Sequence, residues 1–254
     1  MRRLIINADD CNLTPGVTRG ILKSHDEGIL TSTTFLINLP LDTRTVREIK
    51  KRPKLGVGLH LNITLGRPVS AGRKIPSLLK PEGIFKRHSD NQKKLPSLKD
   101  VVSEYEAQIG LFEKYFGQQP DHLDTHHHLH DHIHFFQALA LVAKRFNIPV
   151  RRSKIFHIKA YQSRAKNLQT TDYLFGNLEA RSHWQLESFL GIVRNLPDGV
   201  SEIACHPGYC DENLQKISSF QEAREEELKV FASSPNLKHL LIQQGIELGR
   251  FRNL

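Results

Sequence analysis

Residues able to do acid–base or metal chemistry fall in four places far apart in the chain. Asp9 and Asp10 are adjacent carboxylates two residues after the apolar run Leu4-Ile5-Ile6. Two such groups are costly to bury unless paired or bound to a cation, so one could hold a cation while the other handles a proton. His60 lies inside Gly58-Leu59-His60-Leu61-Asn62. The stretch from Asp121 to His134 carries seven of the chain's 14 histidines. In an extended segment Asp124, His126, His128 and His130 would share one face. Imidazoles at that spacing suit a divalent metal, and Asp124 could orient a ligand through its second ring nitrogen. His206 is followed by Pro207-Gly208, a position suited to a general acid. The opposing readings are plain: a helix cap or turn for Asp9-Asp10, a satisfied core histidine for His60, an exposed tract for the histidine run.

These residues need elements that bring them together, and short apolar runs alternate with helical stretches, the pattern of βα units around a parallel sheet or barrel. Residues 3–8 read as a buried first strand. Thr14-Pro15 reads as an N-cap with proline at the first helical position, opening a helix that stops at Gly28. Residues 30–36 form a second strand. Residues 54–63 form a third, with Leu55, Val57, Leu59, Leu61 and Ile63 in period two and His60 on the opposite face. Residues 66–96, rich in Gly, Pro, Ser and Lys, read as a long functional loop or lid. Ser97 and Asp100 have capping-box spacing. Val101, Tyr105, Ile109, Phe112 and Phe116 then form a helical stripe ended by Gly117. Another helix passes through residues 138–142, a buried strand through 200–205, a charged amphipathic helix through 222–231 and a last apolar element through 238–249. Metal and proton chemistry in such a sheet assembles at the carboxyl ends of strands.

With 254 residues, 39% hydrophobic and 25% charged, the chain fits one α/β domain and is neither disordered nor membrane-spanning. The N-terminal apolar run is too short for a secretory segment and meets carboxylates at once, which points to a cytoplasmic protein. Three cysteines without a Cys-x-x-Cys spacing argue against a disulfide framework. Cys205 and Cys210 flank the His206 turn and could form a thiolate site. The net charge of +9 invites a nucleic-acid reading. The basic residues are nevertheless scattered beyond small groups such as Lys50-Lys51-Arg52, so a solvated basic surface and no nucleic-acid partner are expected.

At the chemical residues the sequence resembles the YdjC-like family of carbohydrate deacetylases, which includes the chitooligosaccharide deacetylases. The matching stretches run from Asn7 through Asp9, Asp10 and Thr14 to Gly16, from Gly28 to Thr34, and from Gly56 through His60 and Asn62 to Thr64. They continue from His122 through Asp124, His126 and His128 to His130, and from Glu202 through His206 to Gly208. The resemblance implies a single domain over residues 1–254 with a distorted (β/α) TIM-like barrel of the polysaccharide deacetylase type. It implies hydrolysis of the N-acetyl group of an N-acetylated amino sugar or chitooligosaccharide. One divalent ion, Mg2+ or Zn2+, would be held by Asp10, His60 and His126. Asp9 would be the general base and His206 the general acid. Asn62, Asp124, His128 and His130 would bind substrate or support the ligands, and a homodimer is compatible with the family. Cys11 stands where the family usually has an aromatic residue, and Asn12 where it has glycine. His132 and His134 exceed the family pattern and leave room for a second metal or a different ligand choice. The competing expectations are a hydrolase of another bond such as a phosphoester, a non-catalytic His-rich metal-binding protein, and a nucleic-acid-binding module.

Overall fold

The computed structural model describes residues 1–176, 183–232 and 235–254. In chain order the elements are β1 (Arg2–Cys11), α1 (Pro15–Asp26), β2 (Ser32–Phe35), α2 (Thr43–Lys50), β3 (Gly56–Leu61), α3 (His88–Lys93), α4 (Leu98–Phe116) and β4 (Leu123–Thr125). They continue with α5 (Ile133–Phe146), α6 (Gln162–Ala165), β5 (Tyr173–Phe175), α7 (Leu186–Arg194), β6 (Gly199–Cys205), α8 (Glu212–Ile217), α9 (Glu222–Ala232), α10 (Pro235–Gln243) and β7 (Ile246–Leu248). The strands follow the order β4-β3-β2-β1-β6-β5, with β7 also on β1. This is the parallel α/β architecture that the alternating pattern predicts. Among the described residues, no helix is long and apolar enough to cross a membrane.

Two compact units interleave along the chain: Met1–Phe35, Lys51–Val57 and Thr171–Leu254 form one, Leu36–Lys50 and Gly58–Thr170 the other. In the first, β1 is central. Its residues Arg2 to Ala8 pair with β6 on one edge, while the other edge takes β7 at Arg2–Leu4 and β2 from Asn7 onward, all parallel. A strand paired on both edges and covered on both faces reads as a near-continuous apolar run, and Leu4, Ile5 and Ile6 are fully buried. β1 runs further than the expected strand over residues 3–8, carrying Asp9 and Asp10 inside it. α1 begins as expected, with Thr14 Oγ1 accepting from Val17 N at 3.2 Å and Pro15 at the first helical position. Its flank needs a bare backbone at Gly20, where a Cβ would meet Gly208 Cα at 2.5 Å. That close approach seats the turn after β6 against α1. The expected last element over residues 238–249 is two elements, α10 and β7, separated by Gly245 at φ +67.

In the second unit β3 pairs parallel with β4, putting His60 beside Asp124. β3 is shorter than the 54–63 expectation and buried on both faces. The stripe on α4 is the one expected: Val101, Tyr105, Ile109, Phe112 and Phe116 are buried, and Gly117 at φ 73 ends the helix. Residues 66–96 are less irregular than their composition suggests, with 3-10 turns at Gly72–Lys74 and Pro76–Leu78 and then α3. Carboxylates on α4 tie this segment down. Asp100 accepts from Ser77 N at 2.9 Å and Ser77 Oγ at 2.7 Å. Glu104 accepts from Val69 N and Ser70 N, each at 2.9 Å. The expected capping box therefore does not form, because Asp100 is spent on Ser77 and Ser97 makes no side-chain cap.

The largest departure is the histidine run. β4 ends at Thr125, and His126–Asp131 coil into a 3-10 turn with His127 at φ 59 and His128 at φ 48. Thr125 Oγ1 accepts from His130 N at 2.9 Å, folding the chain back at once. The alternating face expected for His126, His128 and His130 does not exist.

Candidate functional site

The first unit builds its chemistry on a β-bulge. Ala8 pairs with Thr33 and Cys11 with Phe35, so Asp9 and Asp10 together oppose the single residue Thr34. Asp10 takes φ 68 to fit the extra residue, a left-handed backbone that aspartate tolerates better than most residues. A bulge bends the strand and re-aims its side chains. The neighbouring carboxylates accordingly reach different partners. Asn7 Nδ2 donates to Asp9 Oδ1 at 2.9 Å and Thr34 Oγ1 to the same oxygen at 3.5 Å, while His206 Nε2 lies 3.8 Å from Asp9 Oδ2. Asp10 Oδ2 accepts from Arg224 Nη2 at 2.6 Å, and both groups are buried.

His206 follows β6, and α9 sets its position. Glu227 accepts from His206 N and, at 3.2 Å, from Trp184 N. Arg224 O accepts from Gly208 N at 3.1 Å. The His206 ring meets Phe220 edge-on at 5.3 Å, and the Arg224 guanidinium covers the same Phe220 ring at 5.6 Å. Burial pushes the Glu227 carboxyl up to about 7. Cys205 and Cys210 form no disulfide, and Cys205 Sγ donates to Asn7 O at 3.4 Å. Burial pushes the Cys11 thiol up to about 12, far from a nucleophilic thiolate.

The second unit holds a buried chain of three polar side chains. His60 Nδ1 donates to Asp124 Oδ1 at 2.6 Å, and Asp124 Oδ2 accepts from Arg151 Nη1 at 2.9 Å. A carboxylate on Nδ1 keeps the proton there, so Nε2 carries the lone pair that a metal requires. His60 Nε2 lies 3.4 Å from His126 Nδ1, with both rings buried. Two ligands about 2.1 Å from one tetrahedral ion stand about 3.4 Å apart, so the two imidazoles fit a shared divalent cation.

The other candidate residues occupy different surroundings. Asn62 is buried in a turn: its Oδ1 accepts from Thr64 N at 2.9 Å and Leu65 N at 3.1 Å, and its Nδ2 donates to Asn38 Oδ1 at 3.0 Å. His130 is buried with Nδ1 on Thr125 Oγ1 at 2.6 Å, and the ring of the partly exposed His128 lies 5.6 Å from it. His132 caps α5, while His134 Nε2 donates to Pro96 O at 2.9 Å. Arg151, Arg224 and Glu227 were not singled out from the sequence. Arg151 ends the apolar run Ile148-Pro149-Val150, the same signal that drew attention to Asp9. Arg224 and Glu227 are hidden among the many charges of α9.

Comparison with known proteins agrees over the whole length. The model of the YdjC-like protein family matches residues 3–242. Proteins named carbohydrate deacetylase from Clostridium beijerinckii and Geobacillus stearothermophilus are each 33% identical over 99% of this chain, covering 100% and 97% of their own lengths. A crystal structure from Enterococcus faecalis V583, provisionally described as a cellobiose-phosphate cleavage protein, shares 31% identity with a TM-score of 0.89 over 99% of this chain and 98% of its own. A family 4 carbohydrate esterase from Streptomyces lividans, solved with acetate, shares the fold at 9% identity and a TM-score of 0.53, over 98% of this chain and 92% of its own. The chain belongs to the YdjC-like protein family.

Proposed function

We propose that this protein is a metal-dependent hydrolase that removes the N-acetyl group from an N-acetylated amino sugar or chitooligosaccharide. Full-length similarity to proteins named carbohydrate deacetylase carries the reaction class. The facing nitrogens of His60 and His126 support the metal dependence. Asp10, His60 and His126 would hold the ion. A donor set with two imidazoles suits zinc or another transition ion better than magnesium, which prefers oxygen. When bound, the ion polarises the acetyl carbonyl and lowers the pKa of a water.

The remaining steps belong to the chain's own groups. Asp9 takes a proton from the water that adds to the acetyl carbon, its Oδ1 held by Asn7 and Thr34. His206 gives a proton to the sugar nitrogen as the C–N bond breaks, so that a neutral amine leaves beside acetate. Arg224 donates to Asp10 and orients it, and Asp124 accepts from His60 Nδ1 and fixes that ring.

Acetate release from N,N′-diacetylchitobiose tests the reading. Release that a chelator abolishes and an added divalent ion restores is the expected result. A metal-replete protein that frees no acetate from this or any other N-acetylated amino sugar would overturn it.

A further inference from the structure

We infer that a cavity on the exposed face of α5 binds a small carboxylate with an apolar body, a ligand separate from the sugar substrate and independent of the deacetylase reading above. The cavity measures about 270 Å³ and is lined wholly by residues of the second unit. Gln137, Ala140, Leu141 and Lys144 contribute from α5, where positions i, i+3, i+4 and i+7 share one face. Leu98, the first residue of α4, and Arg164 on α6 complete the lining. Leu98, Ala140 and Leu141 supply its apolar part, and Leu141 is 52% exposed. Lys144 and Arg164, both exposed, supply its charge.

Neutral acceptors, not carboxylates, hold these two cations in place. Lys144 Nζ donates to Arg164 O at 3.1 Å. The Gln137 amide oxygen, turned toward Arg164, accepts from its Nε at 2.7 Å and its Nη2 at 3.1 Å. The Arg164 guanidinium also lies 5.7 Å from the Tyr161 ring centroid. Neither cation has a carboxylate partner among the described residues, whereas Arg145, next to Lys144, pairs with Glu106, and Lys154 pairs with Asp131. Two positive charges are thus positioned in advance with N–H donors to spare, and a guanidinium fork matches a carboxylate. An anionic head on an apolar body complements the lining. The volume sets the size of that body. A cavity of about 150 Å³ holds benzene, and drug-sized ligands fill about 300–1,000 Å³, so one ring with a short chain fits. A protein partner fits poorly: α5 from Gln137 to Lys144 spans only about 10 Å, and a stable interface needs about 1,000 Å².

The test uses the full-length protein, with 3-phenylpropanoate as probe and 3-phenylpropanol as its uncharged counterpart. Titration followed by amide NMR should shift signals of α5, α6 and the start of α4, with a Kd of about 1 mM, the scale set by about ten well-placed non-hydrogen atoms. The alcohol should bind about tenfold more weakly, and salt at about 0.5 M should weaken the carboxylate and spare the alcohol. Lys144→Gln and Arg164→Gln should each weaken the carboxylate about threefold, the worth of an exposed ion pair. Leu141→Asp sets a negative charge in the cavity and should abolish binding. All three side chains are exposed, so these variants should melt with the wild type. No shifts at a probe concentration about tenfold above that Kd, equal binding of the alcohol, or undiminished binding in Leu141→Asp would each overturn the proposal. A wild-type dimer in sedimentation that Leu141→Asp dissociates would overturn it too, because a second copy would then be the occupant.

Discussion

Replacing Asp124 with asparagine changes one buried atom and sets two requirements against each other. Asp124 accepts from His60 on one oxygen and from Arg151 on the other, and the Asp124 and Arg151 side chains are fully inaccessible. An amide has one acceptor end. If its oxygen faces His60, its NH2 meets the Arg151 guanidinium, donor against donor. If it turns, its NH2 faces His60 Nδ1 and moves the ring proton to Nε2, where the metal lone pair should be. Leaving one partner of a buried ion pair without its counter-charge costs about 3–5 kcal/mol. An entropy of unfolding of about 2.1 cal/mol/K per residue makes each kcal/mol worth about 2 °C in a chain of this length, so Tm should fall by about 6 to 10 °C. Losing the carboxylate behind a histidine ligand should also weaken zinc binding about 10- to 100-fold. Calorimetry and zinc titration on the purified variant measure both losses. The double variant Asp124→Asn with Arg151→Met separates them: removing the stranded cation should recover most of the Tm while zinc affinity stays low. An Asp124→Asn protein that melts within about 2 °C of wild type and binds zinc as tightly would refute the account of the triad.

Asp9→Asn should keep zinc and lose about 10²- to 10⁴-fold in kcat, whereas Asp10→Asn should lose both, as read by metal analysis beside acetate release; equal kcat in Asp9→Asn contradicts a proton role for Asp9. Burial raises the Glu227 carboxyl from its ordinary 4.5 to about 7, so the folded chain holds that proton more tightly than the unfolded one. Its contribution to stability is present below about pH 4.5 and lost as the pH rises through about 7. Glu227→Gln should flatten that part of the stability profile in denaturant titrations, and a variant with the wild-type slope would show that Glu227 titrates elsewhere. Gly20→Ala pushes a methyl onto Gly208 backbone. It should cost about 1–3 kcal/mol and lower kcat through displaced His206, and wild-type melting and turnover would mean that the two backbones yield freely.

The sequence by itself determined the elements whose cause is local. Thr14-Pro15 starts α1 because a hydroxyl and a ring-fixed φ act within one turn, and Gly117 ends α4 because a left-handed residue is needed there. The apolar runs of β1, β3 and β6 declared themselves because strands covered on both faces are mostly apolar. Asp9, Asp10, His60 and His206 drew attention because charged or imidazole groups at the ends of such runs need a reason to be there. Tertiary structure decided everything that depends on a partner distant in the chain. That Asp9 and Asp10 diverge at a bulge depends on the register of β1 against β2. The coil of the histidine run is the exception, a local event in which Thr125 captures His130 N and which an alternating pattern of side chains cannot report. Arg224 and Glu227 look like any surface charges in one dimension, and Arg151 shows only that it ends an apolar run. Each acquires a role only when folding encloses it with a particular carboxylate or backbone N–H, because a buried charge is defined by what surrounds it and not by its neighbours in sequence.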